Sequence, residues 1–156
     1  MADPTTILAS GVAELGLGDV YQISFVVADM DVALPVYEAM FGPFSRRDVV
    51  ISPQTSALRG EPMGAELSLA FGSSAGVEIE LVQVRSGETP HSQHLRAHGE
   101  GLHHVAFKVP AFDATIADLR TKGFSEAWRG VSTKGNRFVY LEAPHLAPSM
   151  IELFEV

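Results

Sequence analysis

The chain has 156 residues, of which 46% are hydrophobic, a length and composition that suit one domain with a sizeable core. It carries a formal net charge of −8 and has no run of Lys or Arg, which argues against a nucleic-acid partner. The absence of Cys excludes disulfides and thiolate zinc sites, and no apolar stretch approaches the roughly 18 residues of a membrane span.

Residues 1–19 are predicted to form an N-terminal arm with one helical turn. This segment lacks the basic start and the long apolar stretch of a secretion signal, so we expect a cytoplasmic protein. A first module follows over 20–90. It begins with an alternating strand from Tyr21 and an amphipathic helix that ends near Gly42. Three further strands are predicted over 44–51, 64–71 and 77–84.

The stretch "HSQHLRAHGEG" links the modules, and we predict a short helix that ends at Gly99. The second module, over 99–156, repeats the order of the first. A strand from His103 leads into an amphipathic helix, and three more strands are predicted over 125–132, 136–143 and 150–156. Each half therefore reads β-α-β-β-β.

The two modules are an internal repeat. Residues 21–42 and 103–124 match when shifted by 82 positions, which sets Gln22 on His104 and Phe25 on Phe107. The last strand of each half carries Ile-Glu-Leu. We therefore predict an α+β fold of paired βαβββ modules, in which two sheets form one curved mixed sheet around a concave site.

Strand periodicity assigns faces to the polar residues of the repeat. Because side chains alternate along a strand, Gln22 and His104 are predicted to face the open side of the sheet, and His103 the helix side. Glu80 and Glu152 face the open side by the same count. These four matched positions would meet across a pseudo-twofold axis.

One imidazole, one amide oxygen and two carboxylates are a suitable donor set for one divalent cation. Two carboxylates without a cation would repel each other, and a metal ion removes that cost. We therefore predict a metal site at Gln22, Glu80, His104 and Glu152. The sequence does not choose among Zn, Co, Ni, Mn and Mg.

The sequence resembles the vicinal oxygen chelate (glyoxalase/bleomycin resistance/dioxygenase) superfamily. The similarity lies in "YQISFVVADMDVALPVYEAMFG", "IELV", "HGEGLHHVAFKV" and "MIELFEV", and it covers residues 20–156. It implies paired βαβββ modules with metal ligands in their first and last strands, at the four positions above. The stretch "HSQHLRAHGEGLHHVAF" is similar to methylmalonyl-CoA epimerases, which usually have His at the place of Gln22, whereas Gln there resembles some glyoxalase I enzymes.

The resemblance implies a divalent-metal-dependent isomerase, epimerase or lyase that removes a proton next to a carbonyl. Glu152 is the first candidate for the base, and Glu61 the second, because epimerase-like relatives carry a catalytic glutamate just before the third strand. The implied substrate is a small carbonyl compound or an acyl-CoA. Basic residues for an acyl-CoA's phosphates are available at Arg46, Arg47, Arg129, Lys134 and Arg137. Relatives of this kind are commonly homodimers.

Two other interpretations remain open. His91, His94 and His98 share one face of the linker helix and could bind a metal, although a solvated face is the favoured interpretation. The chain could also bind or sequester a small molecule without catalysis, using Phe71, Trp128, Tyr140 and Phe154 as stacking partners. The two inward glutamates and the histidine favour catalysis. Because one His of the Fe(II) dioxygenase triad is replaced by Gln22, redox oxygen chemistry is disfavoured.

Overall fold

The computed structural model describes residues 15–156. Most of the predicted N-terminal arm, residues 1–14, therefore lies outside the described residues. Within the remaining part of the arm, Leu17 is buried in the hydrophobic core of the second module. No helix in 15–156 is long and apolar enough to cross a membrane.

The elements of the first module follow the predicted order with two short additions. They are β1 (Val20–Val26), α1 (Met30–Phe41), β2 (Ser45–Ile51), β3 (Ala57–Leu58), β4 (Glu61–Pro62), β5 (Ala65–Ser74) and β6 (Val77–Gly87). The linker and the second module contain α2 (Pro90–His98), β7 (Gly101–Val109), α3 (Phe112–Thr121), β8 (Ser125–Val131), β9 (Arg137–Glu142) and β10 (Met150–Glu155).

All ten strands belong to one mixed sheet in the order β2-β5-β6-β1-β7-β10-β9-β8-β3-β4. The pairs β1–β6 and β7–β10 are parallel, and β1 and β7 pair antiparallel at the centre. Outward from that central pair the first module has the order β1-β6-β5-β2 and the second has the order β7-β10-β9-β8. Apart from the short β3 and β4, the two modules therefore place corresponding strands at corresponding positions, as the internal repeat predicts. The α+β fold of paired βαβββ modules is confirmed.

The helices α1 and α3 cover the convex face of this curved sheet. The Asp29 carboxylate caps α1 by accepting hydrogen bonds from the backbone of Asp31 and Val32. Met30 at the start of α1 is fully buried with residues of β5 and β6, and Leu119 of α3 packs with Leu153 of β10. The apolar outer face of each module is thus covered by its own helix.

The concave face holds a third hydrophobic cluster that the two modules share. The first module contributes Leu67, Leu69 and Val82, and the second contributes Trp128, Phe138 and Tyr140, among others. Because α1 and α3 lie on the other side, these side chains form the inner walls of the half-barrel.

The strands β3 and β4 had no sequence signal. The loop after β2 crosses to the second module, where Leu58 of β3 pairs with Trp128 of β8. The Trp128 indole N–H donates to the Ser56 hydroxyl at 2.7 Å, which ties the loop to the sheet. This loop places Glu61 in β4, exposed at the edge of the sheet.

A β-bulge makes the predicted direction of His103 wrong. Ser24 of β1 pairs with His104 and Phe25 pairs with Leu102, so His103 is the extra residue of β7. Strict alternation fails at such a residue. The His103 and His104 rings touch, with their Nδ1 atoms 2.9 Å apart, instead of pointing to opposite faces.

The linker helix α2 forms as predicted and ends at Gly99, whose φ is 82°. A capping box fixes its start, since the Thr89 hydroxyl accepts from Ser92 N–H and the Ser92 hydroxyl accepts from Thr89 N–H. The predicted solvated face is wrong for two of its three histidines. His91 and His94 are buried, because α2 packs against the central strands rather than in solvent.

Candidate metal centre and ligand cavity

The structure brings the four predicted metal-binding side chains together on the central strands β6, β1, β7 and β10. His104 Nε2 lies 3.2 Å from Gln22 Oε1, 3.2 Å from Glu152 Oε2 and 3.6 Å from Glu80 Oε2. All four residues are buried.

Neighbouring side chains fix the direction of three of the four donors. The Gln22 amide N–H donates to Glu78 Oε1 at 2.7 Å, so the amide oxygen faces His104. The Ser24 hydroxyl donates to Glu80 Oε2 at 2.7 Å. When His104 donates from Nδ1 to His103, its Nε2 lone pair points at the oxygens of the centre.

Burial shifts the pKa of every titratable group at this centre toward its neutral form. Burial, and after it the nearby Glu152 carboxylate, raises the pKa of Glu80 to about 8. Burial and the charge of Glu78 raise the pKa of Glu152 to about 8. Burial lowers the pKa of His104 to about 3, so its imidazole is neutral at pH 7.

The donor chemistry of these residues, and their distances to His104, suit a divalent cation. Adjacent ligands of one ion with bonds of about 2.1 Å lie roughly 3.0 to 3.4 Å apart, close to the separations around His104 Nε2. The donors facing inward are lone pairs of oxygen and nitrogen. Two buried carboxyl groups that must otherwise stay protonated would ionise beside a dication.

A second group of potential ligands shares His104. One nitrogen from each of His91, His103 and His104 lies within 4.8 Å of the others, and within the described part of the chain this is the only His, Asp or Glu group so arranged. The Glu80 and Glu152 oxygens, each close to His104, would therefore have to approach each other to share one ion. This trio includes no carboxylate, and His104 Nδ1 is already hydrogen-bonded to His103. The Nε2 side includes two carboxyl groups, which with the Gln22 amide also line a cavity, so it is the better site for a cation.

The cavity beside the centre has a volume of about 280 Å³. Gln22, Glu80 and Glu152 reach it together with Glu78, and the four aromatic residues named as stacking partners from the sequence also line it: Phe71, Trp128, Tyr140 and Phe154. The candidate centre is thus accessible to a small molecule.

Some residues of this site were not predicted, and one predicted residue lies elsewhere. Glu61 is exposed in β4 and is not among the described residues that line the cavity. The contact between Glu78 and Gln22 follows from the β1–β6 register, in which these residues pair. The burial of His91 depends on where α2 packs. Lys108 also lines the cavity and could have been found from the sequence, because it lies four residues after His104 on β7.

A family model described as the Glyoxalase/Bleomycin resistance protein/Dioxygenase superfamily matches residues 21–140. The chain belongs to this superfamily. The match includes three of the four strands of the candidate centre, β1, β6 and β7, and ends before β10. It confirms the family resemblance in the sequence. No curated protein matches the chain closely enough to count as a relative.

Several solved structures share the fold at low sequence identity. Methylmalonyl-CoA epimerase from Mycobacterium tuberculosis is 19% identical, with a TM-score of 0.61, and the alignment covers 90% of this chain and 89% of that one. A variant of the Streptomyces coelicolor epimerase in complex with 2-nitronate-propionyl-CoA is 21% identical, with a TM-score of 0.63, covering 89% and 94%. A hypothetical protein from Bacillus halodurans C-125 is 20% identical, with a TM-score of 0.62, covering 88% and 94%.

Proposed function

We propose that the protein is a divalent-metal-dependent isomerase or epimerase that removes and returns a proton next to a carbonyl group. The observation that carries the proposal is the convergence of an amide oxygen and two carboxyl groups on His104 Nε2 beside a cavity. The fold shared with methylmalonyl-CoA epimerases supports it.

In this proposal Gln22, Glu80, His104 and Glu152 hold the ion. When bound, the ion supplies Lewis-acid stabilisation of the negative charge on the substrate oxygen after the proton leaves. Glu78 keeps the Gln22 oxygen turned inward, and Ser24 holds the Glu80 carboxyl group. The surrounding strands keep these groups away from bulk water.

Glu152 moves the proton in this proposal. Burial raises its pKa to about 8 in the metal-free protein, and a bound dication would lower that pKa, so the Glu152 carboxylate would be ionised and able to accept a proton. General-base catalysis of this kind contributes about 10²- to 10⁴-fold to a rate. We assign the role to Glu152 rather than Glu61 because Glu152 lines the cavity and Glu61 is exposed at the sheet edge.

Exchange of the substrate proton with solvent tests the proposal. Metal-loaded protein would be incubated in D₂O with methylmalonyl-CoA and, separately, with the hemithioacetal of methylglyoxal and glutathione. We expect deuterium to enter one of them, with a rate at least about 10²-fold lower in Glu152→Gln and unchanged in Glu66→Gln, an exposed glutamate of β5. Return of the proton to the same carbon gives an epimerase, and return to the neighbouring carbon gives a glyoxalase-type isomerase.

The alternative is a protein that holds a small molecule without reacting with it. The apolar and aromatic walls of the cavity favour this second candidate. Binding of these compounds without deuterium incorporation, in protein loaded with each divalent ion in turn, would contradict the enzyme proposal and support the binding protein.

A further inference from the structure

The basic residues of this acidic protein fall into two groups. All eleven lie within residues 15–156. Eight pair with a carboxylate: Arg46 with Asp31, Arg59 with Glu142, Arg85 with Asp48, Arg96 with Glu88, Arg120 and Arg129 with Glu126, Lys122 with Asp118, and Arg137 with Asp113 and Glu155. The other three, Arg47, Lys108 and Lys134, form no ion pair with any residue in the described range.

These three cations line the same cavity. They come from three separate elements: Arg47 from β2, Lys108 from β7 and Lys134 from the turn between β8 and β9. All three are exposed, so they lie at the cavity mouth. The Arg47 guanidinium sits 4.7 Å from the centre of the Phe71 ring, and the Lys108 ammonium sits 4.7 Å from that of Tyr21.

The carboxyl groups inside the cavity form no ion pair with them, although the charge of Arg47 acts at longer range to lower the pKa of Glu80. None of the three cations lies within ion-pair distance of Glu78, Glu80 or Glu152, and a bound dication would neutralise that acidic floor. In a chain with a net charge of −8, surface cations normally find carboxylate partners, as the other eight do. Unpaired cations that converge on one cavity from three elements are typical of a site for an anion.

The walls between the mouth and the candidate centre are apolar. On one side are side chains of β2, β5 and β6: Val49, Ile51, Leu67, Leu69, Phe71 and Val82. On the other are aromatic rings, among which Trp128 and Phe138 have centroids 5.0 Å apart. An apolar cavity of about 150 Å³ binds benzene, so about 280 Å³ holds an aryl or branched acyl group with a short substituent.

We propose that the ligand of this cavity is an amphiphilic anion. Its aryl or branched acyl body packs between the two apolar walls, and its carboxylate or phosphate lies at the mouth against Arg47, Lys108 and Lys134. Such a ligand is the substrate class of the enzyme proposed above. The inference rests on the proposed function in one respect, namely that the ligand is the enzyme's substrate. A polar acyl group without an apolar body would leave these walls uncovered.

Binding to the metal-free protein tests the class without using the enzyme reaction. Trp128 is the one tryptophan of the chain and lines the cavity, so its fluorescence reports occupancy directly. The probes are phenylacetate, the neutral phenylacetamide of the same shape, and acetate, which has the charge without the ring. We expect saturable binding of phenylacetate, with both other probes at least about tenfold weaker.

Two triple variants assign the charge effect to the three cations. Arg47→Gln/Lys108→Gln/Lys134→Gln should weaken phenylacetate binding by about threefold per cation, about 30-fold in all, and leave phenylacetamide unchanged. Arg46→Gln/Arg85→Gln/Arg96→Gln removes three ion-paired cations of the described surface and should change neither. Thermal unfolding of both variants shows that the fold is intact.

The anion can be the ligand's own carboxylate or the phosphates of a longer group. Phenylacetyl-CoA separates these sources: tighter binding than phenylacetate, lost in the cavity variant, assigns the three cations to phosphates, and the reverse order assigns them to a carboxylate. Equal binding of phenylacetate and phenylacetamide, equal effects of the two triple variants, or no saturable binding would overturn the proposal. Because no metal and no turnover are involved, the result is independent of the deuterium experiment.

Discussion

His103 is the residue whose role depends most on local geometry. It is fully buried, its Nδ1 faces His104 Nδ1 at 2.9 Å, and its ring stacks on His91 with centroids 4.1 Å apart. If His104 donates from Nδ1 to His103, Nε2 is left free for a metal ion. Partners of this kind orient a ligand and raise its basicity.

Replacing His103 should therefore weaken metal binding more than it weakens the fold. We expect His103→Phe, which keeps the stack on His91 but removes the acceptor, to lower metal affinity by about 10- to 100-fold, as measured by isothermal titration calorimetry. His103→Gln, which offers an amide oxygen to His104, should recover part of that loss. Equal affinities of wild type and His103→Phe would show that His103 only fills space.

The buried carboxyl groups predict a pH dependence of the metal-free protein. Glu80 and Glu152 have folded-state pKa values of about 8, whereas their unfolded values are near 4.5. Between those values the native state binds more protons than the unfolded state, so stability falls as pH rises. The buried histidines, whose pKa values are lowered, act in the opposite direction only below about pH 6.5.

The window that isolates the carboxyl groups is thus about pH 7 to 8.5. Over it the free energy of unfolding of metal-free protein should fall by roughly 1 kcal/mol for each carboxyl group. Urea unfolding at several pH values measures this, and Glu152→Gln should show about half the fall. A stability that is constant or increases with pH across this window would contradict the assigned ionisation.

At the scale of single residues, the sequence did not predict the direction of the His103 side chain or the contact between Glu78 and Gln22. Alternation correctly placed Gln22, Glu80, His104 and Glu152 on one face. The β1–β6 and β7–β10 pairings are regular at these residues, although the β1–β7 pairing shifts beside Gln22 and His104. The bulge that turns His103 depends on how β7 pairs with β1, and no residue of either strand signals it. Their roles as metal ligands stay predictions until a metal is measured.

At the scale of elements, α2 links the repeat to the site. It carries His91 and His94 into contact with His103, with ring centroids 4.1 and 5.3 Å away. The sequence predicted a short helix that ends at Gly99, but the predicted solvated face of its histidines was wrong for His91 and His94. Which face is buried depends on packing against distant strands, which the local sequence does not encode.

The cap of α2 offers a test of this element. Thr89→Ala removes the side-chain acceptor of the capping box and should lower the free energy of unfolding by about 1 kcal/mol. Thr133→Ala, at an exposed turn threonine, serves as the control and should change little. Guanidinium unfolding monitored by circular dichroism measures both, and equal stabilities would show that the cap does not hold the helix.

The strands show where periodicity succeeds. Strands β5 and β6 alternate apolar and polar residues over six or more positions, and the longer strands formed close to the predicted bounds. The two-residue strands β3 and β4 are too short for a period, and β3 exists because it pairs with β8 about 70 positions away. Such long-range pairing is set by the curved shape of the sheet.

At the scale of the whole molecule, the internal repeat determines the architecture. Two copies of βαβββ meet at β1 and β7, so matched positions of the two copies lie side by side on the inner face. One module alone supplies only half of the candidate centre: Gln22 and Glu80 in the first, His104 and Glu152 in the second. The expected homodimer stays a prediction, which sedimentation equilibrium would test.

The central claim is that both modules together bind one divalent ion at His104 Nε2. Metal content per chain, measured by elemental mass spectrometry on tag-free reconstituted protein, tests it most directly. We predict about one equivalent in wild type, in His91→Phe and in the exposed control His145→Ala, and loss in His104→Ala and Glu152→Gln. Metal lost in His91→Phe but retained in Glu152→Gln would move the site to the imidazole trio, and no metal in wild type would contradict the account.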